Sequence, residues 1–142
     1  MQNAVQQDVQ TVVFRLAEQE YGIDIFKVQE IIKIPNITAL PNTADYVKGI
    51  INLRGYVIPV IDLKRKFTGQ ATEYSEETKV IIVEIASKKT GLIVDEVMEV
   101  VRIQQDLIEK GGYAESSSGA SYLMGIAKLE NRLLILLDID QI

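Results

Sequence analysis

The chain has no cysteine, no histidine and no tryptophan among its 142 residues. Without cysteine there is no disulfide and no thiolate metal ligand. Without histidine there is no imidazole ligand, no Ser–His or Cys–His nucleophile pair and no histidine acid or base. Catalysis would fall to carboxylates, lysine, tyrosine or hydroxyls. Positive charge is scarce too: 15 Lys and Arg against 20 Asp and Glu leave a net charge of −5. Nucleic-acid grooves need clustered Lys and Arg. Only Lys64-Arg65-Lys66 and Lys88-Lys89 cluster here, as solvated positions at element ends. Three Phe and six Tyr are scattered rather than interleaved with basic residues, so a barrel that binds oligonucleotides carries little weight. No window of about 18 apolar residues offers a membrane span. Met1–Gln10 lacks the basic start and apolar stretch of a secretory signal, so a cytoplasmic protein is expected.

What the chain does have is an internal repeat. Shifted by 69 positions, Thr11–Ile34 lies over Val80–Ile103, with Ala17/Ala86, Gly22/Gly91, Val28/Val97, Glu30/Glu99 and Ile34/Ile103 coinciding. Shifted by 76, Gly49–Leu63 lies over Gly125–Ile139, pairing Gly49/Gly125, Leu53/Leu129 and Asp62/Asp138. The offset grows because the second copy carries a Gly/Ser-rich stretch, Gly111–Ser121. Two related units of about 11–67 and 79–142, within a single domain 1–142, are expected to share one core. Where the copies differ, the scaffold does not dictate the residue. The first has Asn52-Leu53-Arg54-Gly55 and the second Lys128-Leu129-Glu130-Asn131, which directs attention to Asn52 and Arg54.

Local patterns suggest strands at Thr11–Ala17 and Glu20–Ile25. Ile25, Val28, Ile31 and Ile32 are spaced by three and four, which predicts two helical turns over Phe26–Ile32. Pro35 and Pro41 bracket an extended stretch, Asn36–Leu40. Ala44–Lys48 reads as a short turn ended by Gly49. Ile50–Leu53 and Tyr56–Ile61 form a hairpin around Arg54-Gly55, its return strand at an edge or bulged because of Pro59. Asp62 caps a short helix, Leu63–Phe67. The polar stretch Thr68–Thr78 links the copies. The second copy repeats strands at Val80–Ala86, Gly91–Val94 and Val97–Ile103 and closes with a hairpin, Tyr122–Leu129 and Arg132–Asp138. The uninterrupted run Leu133–Leu137 reads as a strand buried on both faces, between the two units. Many short strands with a few one- or two-turn helices predict a mainly all-β fold of paired small barrels.

Asp24, Asp62, Asp95 and Asp138 adjoin apolar strand residues. A carboxylate enzyme using Asp62 or Asp95 is the alternative reading, set against ordinary capping of turns and helices. Gly111-Gly112 lacks the Lys-Ser/Thr of a phosphate loop. Binding is better supported. Ile25, Val28 and Ile31 form an apolar stripe, and Glu30 and Arg54 either pair with each other or rim a groove and set partner register.

These same residues carry a family resemblance. Tyr21-Gly22-Ile23-Asp24-Ile25, Val28-Gln29-Glu30-Ile31, Lys48-Gly49-Ile50-Ile51-Asn52-Leu53-Arg54-Gly55, Ile58-Pro59-Val60, Asp62-Leu63 and Gly91-Leu92-Ile93-Val94-Asp95 resemble the CheW coupling proteins of bacterial chemotaxis, as does the closing Leu133–Asp138. The resemblance runs from about Val12 to Ile142. It implies two intertwined five-stranded SH3-like β-barrels, no catalysis and no cofactor. It further implies an adaptor between the cytoplasmic tip of methyl-accepting chemoreceptors and the regulatory domain of the histidine kinase CheA. The implied receptor-facing groove falls on Val12, Ile25, Val28, Ile31 and Val97, with Glu30, Asn52 and Arg54 at its polar edge. A kinase face is expected at Ile37 and Leu40. Family members often continue into a C-terminal helix after the point where this chain stops. The chain carries neither a kinase nor a receiver domain, so a stand-alone coupling protein is expected.

Overall fold

A computed structural model describes residues 8–110 and 122–142; the Gly/Ser stretch at 111–121 and the first seven residues lie outside it. In chain order the strands are β1 (Val9–Leu16), β2 (Gln19–Asp24), β3 (Val28–Lys33), β4 (Val47–Leu53) and β5 (Tyr56–Asp62). The helix α1 (Leu63–Thr68) follows, then β6 (Lys79–Ile85), β7 (Lys88–Val94), β8 (Glu96–Ile103), β9 (Ile108–Glu109), β10 (Leu123–Leu129) and β11 (Arg132–Leu137). One sheet runs β8-β1-β2-β11-β10-β9 and the other β3-β6-β7-β5-β4. Each sheet takes a hairpin from one copy and the remaining strands from the other. Two joins between the copies are parallel, β2 beside β11 and β5 beside β7, and two are antiparallel, β1 with β8 and β3 with β6. The architecture is two intertwined SH3-like barrels, mainly β. Five strands is correct for one sheet; the other gains a sixth, the two-residue β9. Its counterpart in the first copy is the isolated bridge Thr38↔Ile50, which stands where Glu109↔Ile126 stands in the second.

The alternation of apolar side chains along the strands builds three cores. Val12, Phe14, Leu16 and Ile23 of one sheet meet Ile81, Val83, Leu92 and Val94 of the other, with Leu63, Leu137 and Ile139, in a cluster that both sheets share. Ile51, Ile58, Val60, Val80, Ile82 and Ile93 fill one barrel, and Val13, Ile103, Ala127, Leu134 and Leu136 the other. β1, β6, β7 and β11 thus bury residues on both faces, as expected of Leu133–Leu137, although Leu133 itself is exposed.

Three local expectations need correction. Phe26–Ile32 is not a helix: a single 3-10 turn, Ile25–Lys27, leads straight into β3. The spacing of three is real but has another cause. A bulge at Gln29 sets Val28 opposite Val83 and Glu30 opposite Ile82, so Val28 and Ile31 turn to one face although they are three apart. Gly49 does not end a turn. It lies inside β4 at φ +149, where a Cβ would come within 2.0 Å of the Thr38 carbonyl oxygen. β5 is an inner strand, and its bulge lies across from it in β4 between Val47 and Gly49. Ile50 exchanges both backbone bonds with Thr38, at 2.9 and 2.8 Å, so it asks nothing of Pro59 opposite. On the other side, pairing with β7 starts only at Val60↔Gly91, whereas the equivalent β11–β2 pairing starts two residues earlier, at Leu134↔Glu20. Proline has no N–H to extend the ladder.

The caps follow the sequence. Asp62 starts α1 by accepting the Arg65 N–H at 3.2 Å, and Gly69 ends the helix at φ 83.

Candidate functional site

Among the described residues, β3 and β8 are end strands that pair on one side only. Each turns apolar residues toward the shared core. On β3 these are Val28 and Ile31, opposite Val83 and Ile81 of β6. On β8 they are Val97 and Val100, opposite Phe14 and Val12 of β1, with a bulge at Met98 matching the one at Gln29. Ile25, Val28 and Val97 are half-buried against the shared cluster, while Ile31 and Val100 are exposed. Val12 is 2% exposed. It lies beneath this surface in the core and presents no side chain to a partner. Val100 was missed in the sequence, although the 69-residue shift places it on Ile31.

The polar edge is built from a tight turn. Arg54 at φ 52 and Gly55 at φ 86 join β4 to β5, and the Asn52 side-chain oxygen accepts the Gly55 N–H at 3.2 Å. That pattern of two positive φ values suits the twist of a hairpin. Asn52 therefore holds the turn, and the turn holds Arg54. The Arg54 guanidinium donates to the Glu30 carboxylate on β3. β3 and the β4–β5 hairpin sit at opposite ends of the sheet order, so this ion pair joins the two ends across the barrel. Arg54 keeps 67% of its side chain in solvent.

The second copy carries a twin of this pair that sequence alignment hides. Glu99 is the counterpart of Glu30, but the position of Arg54 is taken by Glu130. Arg132, two residues on, supplies the guanidinium instead. It donates to Glu99 at 2.6 Å and faces Glu20 at 3.4 Å, with 32% of its side chain exposed. The twin arginine is thus held between two carboxylates, while Arg54 has one partner and open water around it.

Ile37 is half-buried against the barrel core that holds Ile51 and Ile58, and Leu40 is exposed just before Pro41. The bridge Thr38↔Ile50 fixes this stretch to β4. Each of the four aspartates accepts a bond from a backbone N–H. Asp24 takes the Phe26 N–H at 2.9 Å and Asp138 the Asp140 N–H at 3.1 Å. Asp95 takes the Ala17 N–H at 2.6 Å. Asp62 also accepts from the Thr72 N–H and hydroxyl, at 2.9 and 2.7 Å. Among the described residues no cluster of three or more Asp and Glu is placed to hold a metal ion, and no helix is long and apolar enough to cross a membrane.

An apolar strip over a core shared by two intertwined barrels, edged by an exposed ion pair, has the anatomy of an interaction surface. The model of the CheW-like domain matches residues 10–142, and the chain belongs to that family. It is 39% identical over 130 residues to the chemotaxis protein CheW of Klebsiella aerogenes, covering 92% of this chain and 78% of that protein. It is 34% identical to the CheW of Treponema pallidum, covering 94% and 81%. Among solved structures it resembles the scaffolding protein TtCheW of Thermoanaerobacter tengcongensis, with a TM-score of 0.84 and 44% identity over 92% of this chain and 88% of that one.

Proposed function

We propose that this chain is a non-catalytic adaptor of chemotaxis signalling, which couples the cytoplasmic tip of chemoreceptors to the regulatory domain of the kinase CheA. It would work in the cytoplasm, at the membrane only through the receptors it binds. The observation that carries the reading is the contrast between the two ion pairs. Both join the ends of a barrel, yet only Glu30–Arg54 leaves its arginine in solvent at the edge of an apolar strip. An interface needs such anatomy: an apolar centre, with charges at the rim that fix register. Ile25, Val28, Ile31 and Val97 supply the centre; Glu30 and Arg54 supply the rim. Val12 supports it from below, and Asn52 sets the turn. Leu40, with Ile37 behind it, is the proposed kinase contact. The family membership and the names of the relatives favour the same role. The engagement of Asp62 and Asp95 in hydrogen bonds that hold the fold weighs against the carboxylate-enzyme alternative.

The test is pairwise co-sedimentation with a receptor cytoplasmic fragment and with the kinase, comparing wild type with Arg54→Glu. The expected result is loss of receptor binding alone. Receptor binding that survives the charge reversal overturns the assignment of this surface.

A further inference from the structure

The fold uses the two basic clusters of the sequence differently. Lys64 faces Asp95 at 3.9 Å, Arg65 pairs with Asp45 at 3.0 Å, and Lys66 lies over the Tyr46 ring at 4.0 Å. Lys88 and Lys89 open β7, and neither pairs with a carboxylate among the described residues. Lys88 is exposed, and its ammonium has no hydrogen bond or ion pair with any described residue. Lys89 is half-buried and holds its ammonium over the Tyr56 ring at 4.3 Å.

The repeat shows what these positions do when they serve the fold. Under the 69-residue shift Lys88 and Lys89 lie over Gln19 and Glu20. Under the 76-residue shift Tyr56 and Val57 lie over Arg132 and Leu133. Between β2 and β11 the corner is closed on itself. The Gln19 amide donates to the Leu133 carbonyl at 3.2 Å, Glu20 faces Arg132 at 3.4 Å, and the ladder already runs at Leu134↔Glu20. Between β5 and β7 the ladder begins only at Val60↔Gly91. There an open cavity of about 570 Å³ is lined by residues 56–59 of β5 and 88–90 of β7, the lengths that do not pair with each other. Ile58, Pro59, Ile61, Ile85 and Ile142 make its walls largely apolar. Its charged side chains are two ammonium groups and one carboxylate, Glu84, in a chain whose net charge is −5.

Small-molecule sites combine apolar walls with a few placed polar groups, and the sign of those groups selects the ligand. We propose that this cavity binds an amphipathic carboxylate, a small organic acid whose hydrocarbon tail lies on the isoleucine and proline walls and whose charged end meets Lys88 and Lys89. The site does not depend on the receptor or kinase readings above. The probe is octanoate, titrated into the isotope-labelled full chain and followed by amide NMR, with octanol as the tail without the charge and acetate as the charge without the tail. Octanoate should move the amides of 56–61 and 84–90 with a dissociation constant in the low millimolar range or tighter, and octanol should bind there more weakly. Lys88→Glu should weaken octanoate about fivefold or more, since reversal replaces an attraction with a repulsion. The same variant should leave octanol binding and melting as in wild type, because Lys88 supports nothing inside the fold. Octanoate that leaves these amides unmoved, or acetate that moves them equally, overturns the site. Octanol that binds as tightly as octanoate, or octanoate binding that Lys88→Glu does not change, overturns the assignment to a carboxylate. If the same amides move on simple dilution of the protein, a second copy fills the cavity and the proposal fails.

Discussion

Removing each of the two barrel-spanning arginines in turn separates a binding residue from a structural one. Arg54→Ala deletes an ion pair whose arginine is 67% exposed and whose glutamate is 30% exposed. Exposed pairs contribute about 0–1 kcal/mol. In a domain of this size that corresponds to a fall in melting temperature of at most about 4 °C. Arg132→Ala removes a guanidinium from between Glu20 and Glu99. It leaves the Glu20 Oε1, which is buried and has no hydrogen bond, without the charge that faces it. Stranding a buried polar atom costs about 1–3 kcal/mol, or roughly 4–12 °C. Thermal unfolding followed by circular dichroism compares the two directly. Arg132→Ala should melt well below Arg54→Ala, while only Arg54→Ala weakens receptor binding. If Arg54→Ala melts as low as Arg132→Ala, the Glu30–Arg54 pair is a clamp like its twin, and the contrast that singles it out disappears.

Further outcomes follow from the same geometry. Asp62→Ala removes the α1 cap and two bonds from Thr72; a loss of about 1–3 kcal/mol in urea unfolding is expected, and none would deny Asp62 its structural role. Pro59→Ile installs the residue of the second copy, Ile135, and should extend the β5–β7 ladder to Ile58↔Lys89. Amide hydrogen exchange would show protection around position 59, and an unprotected amide there would rule out the missing N–H as the cause of the shorter ladder. Burial, with Tyr122 nearby, raises the pKa of the Tyr21 phenol above its ordinary 10.0. Folding therefore favours the neutral phenol, so its contribution to stability is full below about pH 10. It is lost as pH climbs through 10 toward the folded value. Alkaline titration by tyrosinate absorbance should find Tyr21 among the late-ionising phenols.

Much of this molecule is legible before folding is considered, because the repeat and its punctuation are local. The Arg54-Gly55 turn, the Asp62 cap and the Leu133–Leu137 strand sit where turn chemistry and apolar runs place them. β3 is legible only in part. Its apolar spacing of three marks a shared face, but a bulge rather than a helix produces it, and the bulge exists only because β6 pairs alongside. Tertiary pairing overrides the local period there. Arg132 escapes alignment because a guanidinium two residues along reaches the same carboxylate position, and side-chain reach is not a property of the aligned column. The exposure of Phe26 is not legible either, because it depends on which way a 3-10 turn faces.

The most direct test of the adaptor account is a three-component sedimentation experiment with receptor-bearing membranes, the kinase and this protein. The kinase should pellet with the membranes only when this protein is present, and should return to the supernatant when Arg54→Glu replaces it. Equal amounts of kinase in the pellet with and without the protein would contradict the account.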